Sequence, residues 1–256
     1  PREHIAMTLI KDIIDFVFPQ RCFMCGNRLS VQERSICTVC YAHLPFTGYH
    51  LAEHSPLEKY FWGHFPIERA VSYFHHDGER TRSIIYHIKY YGHPEAGEHL
   101  AYGYAEELKE HCFFKGIDAI VPIPLHWRRK LERHYNQSYH IAKGISRSTG
   151  IPIWENVVKR MVNNVSQTRV TRDERLNNVK NIFRVTDAEK VKGKHLLLVD
   201  DVITTGATIK SCAQELAKVS GVKISVLSLA VASQSAVQIE TEVEPDASVF
   251  GIPLLE

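Results

Sequence analysis

The segment 195–209 constrains the fold more than any other part of the chain, because its character changes three times in a short stretch. It begins with a run of aliphatic residues, which predicts a strand buried on both faces, as in a parallel sheet. Two acids, Asp200 and Asp201, follow, and small residues occupy the turn 204–208. Apolar residues then recur at helical spacing, so a helix is predicted to begin near Ala207. A strand that leads through a turn into a helix is typical of α/β folds.

The turn 204–208 has the properties of an anion-binding site. Free N–H groups and the positive end of the helix dipole point into such a turn. Threonine hydroxyls add donors, and Gly206 is expected to let the backbone approach a ligand closely. Asp200 and Asp201 would repel a bare phosphate, so they favour a ligand with sugar hydroxyls near the acids and a phosphate at the turn, such as a ribose 5-phosphate. The alternative to a ribose-phosphate site is an ordinary helix N-cap beside two acids in a turn. The segment is not a Walker motif, because it lacks Gly-Lys-Ser/Thr.

Four of the six cysteines form two Cys-x2-Cys pairs separated by eleven residues. Each pair can turn its thiolates toward one metal, and two pairs complete a closed, structural tetrahedral site. The predicted Zn²⁺ ligands are Cys22, Cys25, Cys37 and Cys40. A disulfide framework or a redox motif explains the paired spacing less well. Cys112 and Cys212 are expected on helices, as core thiols.

Length and charge narrow the class of protein. A chain of 256 residues holds one α/β domain and a small module, and no apolar run is long enough to cross a membrane. The net charge is only +2, but residues 126–184 contain 13 Lys or Arg and 4 Asp or Glu. Such a segment indicates an anionic partner, either pyrophosphate, nucleic acid or both, and a solvated basic face is the alternative. The apolar spacing within 5–18 predicts a short amphipathic helix, which either docks on the protein or contacts a membrane.

Strand and helix patterns alternate along the rest of the chain, which predicts a parallel, doubly wound sheet with ligands at the carboxyl ends of its strands. We expect an irregular linker at 45–66 and an irregular excursion at 158–184. The predicted strands are 70–75, 118–124, 194–201 and 223–232, and the predicted helices are 81–91, 100–112, 135–148 and 207–219.

These features, in this order, resemble the ComF family of phosphoribosyltransferase-like proteins. The segment 195–209 resembles the PRPP-binding motif of type I phosphoribosyltransferases, and the segments 88–92, 121–137 and 166–179 resemble further family motifs. One departure is His134, where the family tends to have glycine. The resemblance implies a type I phosphoribosyltransferase-like α/β domain at 51–256, with a parallel sheet flanked by helices. It also implies an N-terminal helix and four-cysteine zinc module at 1–50.

The resemblance also implies a set of site residues. Asp200 and Asp201 would hold the ribose hydroxyls of PRPP, with Mg²⁺ bridging pyrophosphate and ribose oxygens. The 5′-phosphate would lie on Thr204, Thr205, Gly206, Ala207 and Thr208. We expect the loop 125–130 to receive pyrophosphate and an arginine-rich lid to close over PRPP. The expected loop and lid residues are Lys89, Leu125, His126, Arg128, Arg129, Arg169, Arg172 and Arg175.

No motif defines the pocket of an acceptor, so three functions stay open. The first is phosphoribosyl transfer from PRPP to an unidentified nitrogen nucleophile, a pentosyl-transferring glycosyltransferase reaction. The second is PRPP binding without turnover, by a sensor or an assembly factor. The third is binding of single-stranded DNA through the zinc module and the basic segment. By the resemblance, the protein is cytoplasmic, acts in DNA uptake during natural competence, and works with other DNA-import proteins at the inner membrane. Its oligomeric state is not predicted.

Overall fold

A computed structural model describes residues 20–161 and 182–232, and within them a four-stranded parallel sheet forms the centre of the fold. The strands lie in the order β1-β6-β5-β2, so their carboxyl ends meet at one edge. The second sheet is a short antiparallel pair, β3 with β4. The strand bounds are β1 Ile67–His75, β2 Ala119–Pro122, β3 Val158–Arg160, β4 Phe183–Val185, β5 His195–Ile203 and β6 Lys223–Val231.

Helices cover both faces of this sheet. Their bounds are α1 Thr38–Ala42, α2 Pro56–Phe61, α3 Gly78–Tyr90, α4 Pro94–Glu110, α5 Trp127–Arg133, α6 Gln137–Thr149, α7 Ala188–Val191 and α8 Ala207–Leu216, and a 3-10 turn spans Tyr49–Leu51. Helices α4 and α6 make a close contact at Gly144, where an added Cβ would lie 2.2 Å from the backbone oxygen of Glu98. Only glycine allows the two backbones to approach so closely.

The core explains why the central strands are so apolar. Leu196–Val199 and most of β6 are buried, because helices pack against both faces of the two middle strands. The parallel α/β class predicted from the alternating pattern is confirmed. Residue Asp200 stands opposite Ser228 in the register of β5 and β6, so the acid pair is part of the sheet.

Several sequence-based bounds were wrong in detail. Strand β5 runs through both acids to Ile203, whereas we expected it to end at Asp201, because β6 pairs with it over this whole length. The linker 45–66 is not irregular, since it contains the 3-10 turn and α2, which Ser55 caps by accepting from the Glu58 N–H. Helix α4 begins at Pro94, six residues earlier than expected, because proline is well placed at the first turn of a helix.

Two further expectations were also wrong. Cys112 is exposed in a left-handed conformation (φ 53°) just beyond α4, not a core thiol on a helix, whereas Cys212 is buried on α8 as expected. The excursion 158–184 is not wholly irregular, because its two ends pair as β3 and β4. Residues 162–181, and the amphipathic segment 5–18, lie outside the described residues.

Candidate functional site

The acid pair and the turn after it lie at the carboxyl edge of the sheet. Thr204 and Thr205 are exposed beyond the end of β5, and α8 begins at Ala207 as predicted. No side chain caps this helix, since its N-cap is Gly206. The first turn therefore has no side-chain acceptor for its N–H groups, as an anion site requires.

Gly206 is required for a reason that the sequence did not indicate. Its φ is 61°, in the left-handed region, and an added Cβ would lie 2.9 Å from Cε1 of Tyr60 and 3.1 Å from Cε1 of Phe61. We expected the missing Cβ to make room for a ligand, but it makes room for two rings of α2. The Tyr60 hydroxyl also donates to the Thr205 carbonyl oxygen at 2.8 Å. Helix α2 thus packs against the turn through Tyr60 and Phe61.

Asp200 lies at the carboxyl end of β5, partly buried beside the start of α6. Ser138 Oγ donates to its Oδ1 at 3.0 Å, and the Asp201 N–H donates to the same oxygen at 2.9 Å. Burial, together with the adjacent Asp201 carboxylate, raises the pKa of Asp200 to about 7. Burial and the neighbouring charge thus favour the protonated form of this carboxyl.

Asp201 points to a different partner and is almost fully buried. Lys89 Nζ of α3 lies 3.1 Å from its Oδ1, which also accepts from the Val202 N–H at 2.7 Å. Its Oδ2 is buried and has no hydrogen-bond partner among the described residues. Lys89, which we expected to contact pyrophosphate, therefore forms an ion pair with Asp201.

The expected pyrophosphate loop 125–130 is largely a helix, because α5 begins at Trp127. His126 is its buried N-cap and accepts from the Arg128 N–H at 3.4 Å, while Arg128 and Arg129 are exposed on the first turn. Leu125, three residues beyond the end of β2, is partly buried. The two arginines thus follow the carboxyl end of β2, the strand next to β5, and lie on a short helix and not on a loop.

Arg160 is a site cation that sequence reasoning missed. Its charge interacts with those of Asp200 and Arg129, and burial followed by Arg129 lowers its pKa. Burial, followed by the charges of Arg128, Arg160 and Arg129, also lowers the pKa of His126, so these charges are close enough to act on one another. The Arg160 Nε is buried without a partner among the described residues. The basic run 126–184 contained this residue, but nothing local distinguished it from its neighbours.

His134 occupies a left-handed position, with φ 64°, at the C-cap of α5. Glycine is the residue that adopts this conformation without cost, so the family's usual glycine has a backbone reason here. The turn keeps its geometry with histidine, since the His134 N–H donates to the Lys130 carbonyl. The expected lid residues Arg169, Arg172 and Arg175 lie outside the described residues.

The four cysteines converge on one point, as their spacing predicted. Their sulfur atoms all lie within 4.8 Å of one another, and Cys25 Sγ is 3.8 Å from Cys37 Sγ. A tetrahedron with Zn–S bonds of about 2.3 Å has edges of about 3.8 Å, so the group fits a zinc ion. None of these cysteines forms a disulfide. The N–H groups of Cys37 and Cys40 lie 3.3 and 3.5 Å from the sulfurs of Cys22 and Cys37, which favours thiolates. The site supports a structural zinc, and in 20–161 and 182–232 no other group of this kind occurs.

Comparison with protein-family models assigns both parts of the chain. Residues 136–253 match the phosphoribosyl transferase domain and residues 13–52 match the double zinc ribbon domain. One solved structure with partial likeness is the glutamine PRPP amidotransferase from B. subtilis, at 20% identity over 52% of this chain and 26% of that one, with a TM-score of 0.36. In the described residues no helix is long and apolar enough to cross a membrane.

The relatives of this chain include competence and DNA utilization proteins. Competence protein F of Haemophilus influenzae is 28% identical over 83% of this chain and 97% of its own length. The DNA utilization protein YhgH of Escherichia coli K12 is 28% identical over 77% of this chain and 91% of its own. Competence protein ComFC of Bacillus subtilis is 32% identical over 37% of this chain and 36% of its own. The chain is therefore a homologue of the competence protein F, ComFC and YhgH proteins, as the resemblance to the ComF family predicted, and it joins a double zinc ribbon to a phosphoribosyl transferase domain.

Proposed function

We propose that the carboxyl edge of the sheet binds PRPP. Asp200 and Asp201 hold the ribose hydroxyls, and residues 204–208 hold the 5′-phosphate. The observation that carries this proposal is the buried Asp201 Oδ2, which has no partner among the described residues. A buried carboxylate oxygen without a donor is costly, and a ribose hydroxyl supplies a donor. The uncapped first turn of α8 and the exposed threonines beside it support the phosphate position.

Three arginines near the candidate site suit the pyrophosphate end of PRPP. The charges of Arg128, Arg129 and Arg160 all act on His126, and that of Arg160 also acts on Asp200, so this arginine cluster can supply guanidinium donors to pyrophosphate. Mg²⁺ would supply further positive charge to the leaving group, and the carboxylates of Asp200 and Asp201 would offer it oxygen ligands. The lid residues Arg169, Arg172 and Arg175 remain part of this proposal.

Phosphoribosyl transfer is the reaction that such a site can perform. The bond between ribose C1 and the pyrophosphate oxygen breaks, that oxygen keeps the electron pair, and an acceptor nitrogen forms the new bond to C1. The arginine cluster stabilises the negative charge that develops on pyrophosphate, and the acid pair holds the ribose in place. No side chain has to act as a nucleophile. A sensor of PRPP would use the same contacts without turnover.

Calorimetry with PRPP and Mg²⁺ tests the binding proposal. Asp200→Ala combined with Asp201→Ala should abolish binding, because both hydroxyl acceptors are removed. Asp118→Asn is the matched control, since Asp118 pairs with Lys194 at 3.1 Å near the opposite end of β5. It should bind PRPP as the unchanged chain does. Unchanged affinity in the double variant would remove the assignment.

The question of turnover needs a second measurement. The chain is incubated with PRPP, Mg²⁺ and, in turn, nucleobases, nucleotides and single-stranded DNA, while released pyrophosphate is measured. Release that depends on one of these acceptors identifies a transferase. Tight binding with no release in any mixture identifies a sensor.

A second candidate function is binding of single-stranded nucleic acid, which an exposed aromatic surface favours. Trp127 of α5 and Tyr90 of α3 are 58% and 59% exposed. Arg128 lies over the Trp127 ring at 5.2 Å, and Arg133 lies over the Tyr90 ring at 4.7 Å. Aromatic faces interleaved with arginines form a platform on which bases stack without regard to sequence. The relatives' names, competence protein F and DNA utilization protein, support the same partner.

Fluorescence anisotropy with a labelled single-stranded oligonucleotide tests this second function. Trp127→Ala should weaken binding about 5- to 150-fold, since stacking of one base contributes about 1–3 kcal/mol. Trp62→Ala is the matched control, because Trp62 is 50% exposed but its ring packs against His54. Affinity should also fall steeply with salt. Equal loss in both variants, or flat salt dependence, would contradict the proposal.

The cellular role follows from these proposals. We infer that the protein acts in DNA uptake during natural competence, in the cytoplasm, with DNA-import proteins at the inner membrane as partners. We also retain the proposed division into a zinc-binding part at 1–50 and a phosphoribosyltransferase-like domain at 51–256. The family models that match 13–52 and 136–253 support this order of parts.

A further inference from the structure

The first cysteine pair of the zinc site makes direct contact with helix α3. Phe23 lies between Cys22 and Cys25, and its ring stacks on His87 of α3 at 4.0 Å, with 9° between the ring planes. Its carbonyl oxygen accepts a hydrogen bond from Ser83 Oγ at 2.5 Å. Both side chain and backbone of this residue are therefore joined to one side of α3.

The ribbon and α3 also share one apolar core. The same cluster of buried residues contains side chains of both parts: Cys22, Ile36, Cys37, Cys40 and Leu44 from the ribbon, and Ile84, Ile85 and Ile88 from α3. A ribbon of this size buries too little surface to fold alone, and metal binding supplies much of its stability. The zinc-binding ribbon and α3 consequently form one packed unit.

The same helix carries Lys89 into the candidate site. Its Nζ is 3.1 Å from Asp201 Oδ1, and the lysine side chain is 21% exposed. Ser83 and Lys89 are six residues apart on one rigid helix, a distance of about 9 Å along its axis. Near its carboxyl end, α3 is held by Tyr135, whose hydroxyl donates to the Ile88 carbonyl at 2.8 Å. Because α3 is one rigid helix, a shift at Ser83 and His87 would also move Lys89 relative to Asp201.

We propose that Phe23 is a positioning residue for the ribose end of the site. The zinc ion fixes the chain around Phe23, Phe23 fixes α3, and α3 holds Lys89 against Asp201. The zinc ribbon is in this sense part of the PRPP site, although none of its residues touches the ligand. The ligand-binding consequence rests on the proposed function, whereas the position of Lys89 can be measured without any ligand.

The first experiment measures how fast Lys89 reacts with an amine-modifying reagent in the zinc-loaded, ligand-free chain. Phe23→Leu keeps an apolar side chain and removes the ring stack. Its Lys89 should be modified several-fold faster, because the ion pair opens, while exposed Lys130 serves as the internal reference. Phe46→Leu is the matched control, since Phe46 belongs to the same part of the chain but packs on Tyr41 and Tyr73. It should leave Lys89 unchanged.

Metal content must be measured in the same samples, so that zinc loss is not mistaken for a shift of α3. A Phe23→Leu chain that keeps its zinc and shows the original Lys89 rate would overturn the proposal. Ser83→Ala gives an independent test that leaves the ribbon sequence intact, and it should also raise the Lys89 rate. Phe23→Tyr keeps the ring and should restore the original rate.

The second experiment measures PRPP affinity in these variants. Loss of one stacked aromatic pair corresponds to about a two- to ten-fold change in an equilibrium. We expect PRPP to bind about two- to ten-fold more weakly to Phe23→Leu and equally well to Phe46→Leu. If PRPP does not bind the unchanged chain at all, the proposed function fails, and the Lys89 rates still decide whether Phe23 positions the lysine.

Discussion

Replacement of Asp200 by asparagine should stabilise the ligand-free protein above neutral pH. The carboxyl pKa rises from 3.8 to about 7 on folding, chiefly by burial and then by the charge of Asp201. A raised folded-state pKa means that the protonated form is favoured in the fold. Its contribution to stability is present below about pH 4 and is lost as the pH rises to about 7. Asparagine keeps the oxygen that Ser138 and the Asp201 N–H donate to, but carries no charge.

The magnitude follows from the size of the shift. At about 1.36 kcal/mol per pKa unit, a shift of about three units corresponds to at most about 4 kcal/mol at pH 8. Partial solvent exposure of Asp200 reduces this figure, so about 1–3 kcal/mol is expected. Between pH 6 and pH 8 the difference in free energy of unfolding between Asp200→Asn and the unchanged chain should grow by about 1 kcal/mol. The rest develops below pH 6, because most of the range between the two pKa values lies there.

Urea unfolding at pH 6 and pH 8 checks the prediction. The free energy of unfolding is compared between the unchanged chain and Asp200→Asn, both loaded with zinc. Because proton competition for the cysteine thiolates affects both proteins equally, it cancels in the difference. The same variant should bind PRPP more weakly, so stability and binding should move in opposite directions. A variant that is less stable than the unchanged chain at pH 8 would refute the argument from burial.

Three further outcomes are expected. Chelation under reducing conditions should release about one zinc per chain and lower the thermal unfolding midpoint, measured by metal analysis and calorimetry; an intact Cys22–Cys25 disulfide would contradict it. His134→Gly should raise the free energy of unfolding by about 1 kcal/mol in urea titrations, because φ is 64° and the side chain is exposed; a loss would show that the histidine makes a compensating contact. Gly206→Ala should cost about 1–3 kcal/mol by the same measurement, since the new Cβ meets Tyr60 in a left-handed turn, and Gly103→Ala, in open space on α4, is the control.

Local patterns predicted the parts of the fold that depend on neighbouring residues. The aliphatic run before Asp200 predicted β5, and the spacing after Gly206 predicted the first residue of α8. The spacing of the four cysteines predicted their convergence, because a Cys-x2-Cys pair brings its sulfurs together within a few residues. The predictions failed where pairing across the fold decides, as when pairing with β6 extends β5 beyond Asp201 to Ile203.

The residues of the candidate site also divide into those that local sequence predicts and those that depend on packing across the fold. Asp200 and Asp201 could be chosen from the sequence because two acids stand between a buried run and a turn of small residues. Arg160 could not, because its place beside Asp200 depends on where β3 packs. Arg128 and Arg129 lie on a helix and not on the expected loop. The sequence did not predict this helix, because a short basic stretch has little apolar periodicity.

By itself, the sequence determined the order of strand, acid pair, turn and helix, and the presence of two cysteine pairs with metal-ligand spacing. Both depend on contacts a few residues apart, which backbone geometry enforces locally. Only the tertiary structure decided that Lys89 pairs with Asp201, that Tyr60 holds the turn, and that Phe23 packs on the helix carrying that lysine. These partners lie far apart in the sequence, and strand order and helix packing bring them together, which no local pattern encodes.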